Sequence, residues 1–242
     1  MCGRFTLHLS KQALASALRE ALDEAFGPSA PEAALPDSYE PEYNVGPGRE
    51  ILALALPGGD NEPPSPAAAG GGPLATMHWG LRTPQNFHVN ARIETADTSP
   101  RFRDGWESRR CLVPADGFYE WYEDGIQKRP HYFFAPEGRL LFFAGLWFPS
   151  RVEAHPSSCV LLTAAANASV CEVHHRMPVI LPPARLRDWL ENRLPKAAAL
   201  DLATEARLDN HRVSQRVNSV RNNDSRLIEV AGPLNEDQLS LF

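Results

Sequence analysis

The stretches His131-Tyr132-Phe133-Phe134-Ala135, Leu140 to Phe148 (LLFFAGLWF) and Cys159 to Ala166 (CVLLTAAA) are short apolar runs that read as buried strands. Pro136-Glu137-Gly138 supplies a turn between the first two. Working outward, Cys111 to Pro114 and Gly117 to Tyr122 continue the pattern, with Glu123-Asp124-Gly125 as a turn, and Ile51 to Leu56 and Leu74 to Gly80 are strand material nearer the start. Helices are fewer. Ser10 caps a first one whose apolar face is Leu14, Leu18, Ala21, Leu22 and Ala25, ending near Gly27-Pro28. Ser99-Pro100 opens a short one that turns Phe102 and Trp106 inward, and two more are predicted over 184–193 and 196–202. Many strands with hairpin-like links, and no regular alternation of strand and long helix, predict an α+β fold: a single domain, 1–242, with a strongly curved, barrel-like mixed β-sheet core and peripheral helices. Residues 57–73, PGGDNEPPSPAAAGGGP, have no apolar period and read as a flexible surface insertion in that domain.

The chain has 242 residues and a formal charge of -6. Residues 1–62 carry 4 Lys and Arg against 10 Asp and Glu, whereas the rest carry 20 of each, so the acidic surplus is local. That balance excludes a polybasic nucleic-acid or membrane binder but leaves room for a local arginine-lined groove. No apolar run approaches the ~20 residues of a membrane span, and no basic, then apolar leader opens the chain. A protein without membrane association, located in the cytoplasm, is expected. The four cysteines, Cys2, Cys111, Cys159 and Cys171, show neither paired metal spacing nor a disulfide framework, so neither metal nor cofactor is expected.

Several short segments carry chemistry. In Met1-Cys2-Gly3-Arg4-Phe5 the small second residue permits loss of Met1, which leaves a cysteine with a free α-amine and a thiol. Such a 1,2-aminothiol condenses with an aldehyde to a Schiff base and then closes a thiazolidine ring; an internal cysteine cannot. Asn90-Ala91-Arg92-Ile93-Glu94-Thr95 is polar where a buried strand would be apolar, and reads equally as a solvated loop or as a positioning asparagine with a phosphate-binding Arg92. In Gly117 to Tyr122, strict alternation puts Phe118, Glu120 and Tyr122 on one face and Tyr119 and Trp121 on the other. An inward Glu120 would be desolvated and its pKa raised toward that of a general acid or base. His174 and His175 are adjacent and point in different directions in any regular element, so only one of them can serve a site.

MCGRF at the start, Tyr43-Asn44-Val45-Gly46-Pro47, Trp79-Gly80-Leu81, NARIET at 90–95, RCLVPADGFYEW at 110–121, HRMPVIL at 175–181 and HRVSQRVNSV at 211–220 together resemble the SOS response-associated peptidase family, also called abasic site processing proteins. The blocks run in order over nearly the whole chain; Gly46 stands in place of the more usual alanine, and 57–73 is a longer insertion. The resemblance implies binding to single-stranded DNA containing abasic sites, a covalent thiazolidine crosslink through Cys2, self-reversal and weak lyase activity. It also implies autocatalytic removal of Met1, nucleoid and replication-fork association, and a monomer. Its site residues fall on Cys2, Asn90, Glu120 and His175. A DNA groove is expected from Arg4, Arg92, Trp79, Asn44 and Arg176, with Arg82, Arg101, Arg109, Arg110, Arg212 and Arg216 as weaker candidates. Two other readings stay open: an N-terminal-nucleophile cysteine peptidase or amidohydrolase, and a non-enzymatic nucleic-acid-binding module.

Overall fold

The computed structural model describes residues 3–56, 72–123, 125, 127–150 and 155–232. Cys2 and most of the 57–73 segment lie outside the described residues. The strands in chain order are β1 (Phe5–Leu7), β2 (Glu42–Val45), β3 (Glu50–Leu54), β4 (Leu74–Trp79), β5 (Leu81–Arg82), β6 (Phe87–His88) and β7 (Asn90–Arg92). They continue as β8 (Arg110–Ala115), β9 (Gly117–Glu123), β10 (Lys128–Phe134), β11 (Leu141–Phe148), β12 (Ser158–Ala165), β13 (Arg176–Pro178) and β14 (Asp209–Arg212). The helices are α1 (Lys11–Phe26), α2 (Ile93–Ala96), α3 (Arg103–Ser108), α4 (Leu186–Leu190) and α5 (Lys196–Glu205).

Strands β11, β8, β3, β4 and β12 pair in that order, and β12 pairs back with β11, so five strands close a barrel. It is mixed, because β4 runs parallel to β12 while the other pairs are antiparallel. A closed sheet covered on the outside buries both faces of its strands, which is why β8 and nearly all of β11 are buried without polar alternation. Beyond the barrel, β7 adds in parallel and β13 in antiparallel fashion to β12. A second, antiparallel sheet has the order β14-β10-β9-β1-β2. It docks on the barrel through aromatic edges: Phe5 lies 5.2 Å from Trp79 and Phe118 6.0 Å from Phe143. Its other face carries Tyr119 and Tyr132, covered by Val213, Val217 and Leu227.

The local readings held where their causes were local. The Ser10 side chain accepts from Ala13 N at 3.2 Å and Gly27 ends α1 at φ 58°. Its buried face is Leu14, Leu18, Ala21, Leu22 and Phe26. α3 begins at Arg103, three residues beyond Pro100, with the turn before it closed on Ser99 O; Phe102 and Trp106 are buried as the spacing predicts.

The link between β9 and β10 joins an antiparallel pair as expected, but two other hairpin-like links did not hold. β8 and β9 are separated by Asp116 alone, yet β8 lies in the barrel and β9 in the second sheet. Asp116 makes this crossing: its N–H donates to Thr6 O, and its carboxylate accepts from the main chain of His8 and Leu9. The Pro136–Gly138 turn likewise carries the chain from β10 in the sheet to β11 in the barrel. Gly80, at φ 130°, swings the chain out of β4 into the β5–β6 ribbon, and the Phe87 ring lies across it where a side chain would stand.

Candidate active site in the seam between sheet and barrel

β9 alternates as the sequence predicts. Phe118 packs in the main core, while Tyr119 joins the small cluster on the opposite face, where the Trp121 indole N–H donates to Asn218 Oδ1 at 2.7 Å. Glu120 follows Phe118 toward the barrel and is 2% exposed. Burial raises its carboxyl to about 7. Among the described residues its Oε1 has no hydrogen-bond partner, and His174 Nδ1 stands 3.8 Å away, beyond hydrogen-bond range but close enough to exchange a proton after a small shift.

β1 brings the start of the chain to this carboxyl. Phe5 pairs with Phe118 and Thr6 with Gly117, and Tyr119 N donates to Arg4 O at 2.9 Å. Continuing that antiparallel register by two residues sets Gly3 opposite Glu120. The segment is braced from below by Arg4, whose guanidinium donates to Asn44 Oδ1 (2.8 Å), Val217 O (2.7 Å) and Asn218 O (3.3 Å). A methyl group at Gly46 would come within 3.3 Å of Val220 and 3.4 Å of the Arg4 side chain, so glycine there leaves the brace room.

Of the two adjacent histidines, the structure brings His174 to Glu120. His175 is exposed and lies against the His174 ring, with centroids 4.4 Å apart. The signal that separates them is in Arg176: His174 Nδ1 lies 3.0 Å from its N–H and 2.9 Å from its C=O. A neutral Nδ1 accepts from the first and a protonated one donates to the second, so the ring keeps a main-chain partner in either state. Burial lowers the pKa of His174, with the Arg176 main chain opposing it. Burial thus pushes carboxyl and imidazole both toward their neutral forms, a protonated acid beside an unprotonated base. Asn90 is half-buried on β7, the strand added to β12 beyond the barrel, opposite Leu161.

Several residues expected in the DNA groove are structural. Trp79 is fully buried, its indole N–H donates to Val89 O at 3.0 Å, and it has no face left for a base. Asn44 is 4% exposed and its amide donates to Val217 O, Ser219 O and Asn222 O. Arg176 is buried and forks onto both Glu94 carboxylate oxygens at 2.6 and 2.9 Å. Arg4 is half-buried and spends its donors on the brace. Among the weaker candidates, Arg110 is sandwiched between Trp106 and Trp189, each ring 4.4 Å away, and Arg216 pairs with Asp224. Arg92 is exposed, two residues from Asn90 on β7.

The model of the family "SOS response associated peptidase (SRAP)" matches residues 1–220 of this chain. Abasic site processing protein YoaM of Bacillus subtilis is 32% identical, over 95% of this chain and 98% of that protein. Abasic site processing protein YedK of Escherichia coli is 28% identical, over 95% and 99%. Among solved structures, a protein from Bacteroides thetaiotaomicron superposes with a TM-score of 0.69 at 20% identity, covering 95% of this chain and all of that one, a likeness of fold. A phage-related protein of Bordetella bronchiseptica gives 0.64 at 25% identity, over 88% and 95%.

Proposed function

The chain belongs to the SOS response-associated peptidase family, and from that premise we propose that it captures abasic sites in single-stranded DNA as a covalent adduct on Cys2. The observation that carries this reading is the register of β1 on β9, which, continued by two residues, sets Gly3 in the row of a buried carboxyl beside an imidazole.

The chemistry follows from those groups. Hydrolysis of the Met1–Cys2 bond frees the α-amine. That amine adds to the C1′ aldehyde of the ring-opened sugar to give a carbinolamine. Glu120, protonated near neutrality, gives its proton to the departing hydroxyl, and water leaves as the iminium forms. The Cys2 thiol then adds through sulfur to the iminium carbon, its proton passing to the Glu120 carboxylate, and the thiazolidine closes. His174 is the second proton carrier of the pair, and the microscopic reverse opens the ring again. Holding aldehyde and aminothiol together makes each step intramolecular. Elimination of the 3′ phosphate from the iminium is the competing path and accounts for a weak lyase activity. Asn90 orients the sugar, and Arg92 is the exposed phosphate contact of the groove.

Incubation of the purified protein with a single-stranded oligonucleotide bearing one abasic site, followed by intact mass, tests the reading. The expected product has the mass of the chain lacking Met1 plus the DNA minus one water. A chain that starts at Cys2 but yields no such adduct would sink it. Turnover of an amide through an acyl-enzyme would favour the N-terminal-nucleophile peptidase instead.

A further inference from the structure

The row that Glu120 occupies runs on across the second sheet. Glu120 is the cross-strand partner of His131 on β10, and His131 is that of Arg212 on β14, the edge strand. Partners in an antiparallel pair share a face, with Cβ atoms about 5 Å apart. The pairs on either side confirm it: Phe133 stacks on Phe118 at 5.1 Å, and the Arg129 guanidinium lies 6.0 Å from the Tyr122 ring. β14 alternates in step, since Asn210 meets His131 on this face while His211 sits on the other, 6.0 Å from Tyr132. Glu120, His131 and Arg212 therefore stand side by side from the buried seam to the outer edge.

Both outer members are held in place with donors to spare. Asn210 Oδ1 lies 3.0 Å from His131 Nδ1, and a carbonyl oxygen only accepts, so Nδ1 carries the proton of the neutral ring and Nε2 is left without a partner among the described residues. An anion at Nε2 draws the second proton onto the ring. The Arg212 guanidinium donates through Nη2 to Gly232 O, and its Nε and Nη1 have no partner among the described residues. The carboxylates of β9 do not cancel this charge: burial pushes Glu120 toward its neutral form, and Glu123 pairs with Lys128.

We propose that His131 and Arg212 seat the phosphate that flanks the captured sugar on the second-sheet side, across the seam from Arg92. This rests on the capture of abasic sites and adds how the DNA strand lies on the protein. A phosphate joined to the sugar through O3′ or O5′ stays within a few bonds of C1′, and the row sets its two cations one and two strand spacings from Glu120, ~5 and ~10 Å. An imidazolium beside a guanidinium that can fork suits the tetrahedral anion. Arg92 is on β7, which pairs with β12 of the barrel, so the strand crosses the seam with the sugar between two phosphate contacts. Such contacts fix position without reading a base, which suits a nucleotide that has none.

The test is fluorescence anisotropy of the full chain with single-stranded oligonucleotides that carry one tetrahydrofuran abasic analogue in the middle, at the 5′ end or at the 3′ end. His131→Gln/Arg212→Gln should weaken binding of the central analogue at least about fivefold at low salt and reduce the slope of log K against log salt by ~0.7. With the end-labelled lesions the loss should fall on one of the two, and the loss caused by Arg92→Ala on the other. His131→Arg and Arg212→Lys each keep a cation in the row and should retain the affinity, which separates charge from packing and from the hold on Gly232. In single-turnover capture the double variant should raise the DNA concentration at half-saturation far more than it lowers the rate at saturation. Equal affinity of the double variant and the unaltered chain, a loss shared evenly by the two end positions, or an equal loss in the charge-keeping variants would each overturn the assignment. This binding map with no adduct from the unaltered chain would uphold the phosphate seat and refute capture alone.

Discussion

Replacing Glu120 by Gln should make the protein more stable at pH 8 while slowing its chemistry. The carboxyl is 2% exposed and held at about 7, against an ordinary value of 4.5. Its folded-state pKa is raised, so between pH 4.5 and 7 the folded state binds more protons than the unfolded state and stability falls as pH rises through that window. The gap of about 2.5 units, at ~1.36 kcal/mol per unit, is about 3 kcal/mol, present as a cost above pH 7 and absent below pH 4.5. Glutamine keeps the shape and cannot ionise. Urea unfolding across pH 4 to 8 should give a falling profile for the unaltered chain and a flatter one for Glu120→Gln, the two meeting at the acid end. At pH 8 the variant should melt roughly 6–12 °C higher. At the same pH single-turnover capture should be slower, since the amide neither gives nor takes the proton. Parallel pH profiles for the two proteins would refute the claim that burial holds this carboxyl out of its usual range.

His174→Ala should lower the rates of capture and of release more than His175→Ala, because only His174 stands 3.8 Å from Glu120; quenched-flow adduct formation with each variant compares them, and equal losses would reverse the assignment. Arg92→Ala should weaken equilibrium binding of an unreactive abasic analogue and reduce its salt dependence by about one counterion, with little change in capture at saturating DNA. Asn218→Ala removes the acceptor of the Trp121 indole N–H, an exposed bond that water can replace, and should cost about 0.5–1 kcal/mol in denaturant titration. Gly80→Ala combines a φ of 130° with a methyl group driven into the Phe87 ring, and a melting temperature within error of the unaltered chain would contradict the ribbon geometry.

What could be read along the chain by itself was whatever has a local cause. α1 is decided by a capping serine, a repeating apolar face and a glycine that leaves the helix, all within 18 residues of one another. That Glu120 shares a face with Phe118 follows from the period of two in Gly117 to Tyr122, and the aromatic richness of 131–135 and 140–148 suffices for a curved, barrel-like core. The barrel's closure, with β4 beside β12, depends on partners about 80 residues apart, and no local pattern names a strand's partner. The same holds for Asp116, which lies between two strand-like runs and divides barrel from sheet through bonds to β1 and the residues after it. Trp79, Asn44 and Arg176 sit in functional-looking motifs but are consumed by Val89, by the carbonyls of 217–222 and by Glu94. Their types suit a DNA groove, and only the tertiary structure decides whether their donors face outward. His174 and His175 differ by one residue, and it is the main chain of Arg176 and the position of β9 that turn one ring to the carboxyl and leave the other to solvent.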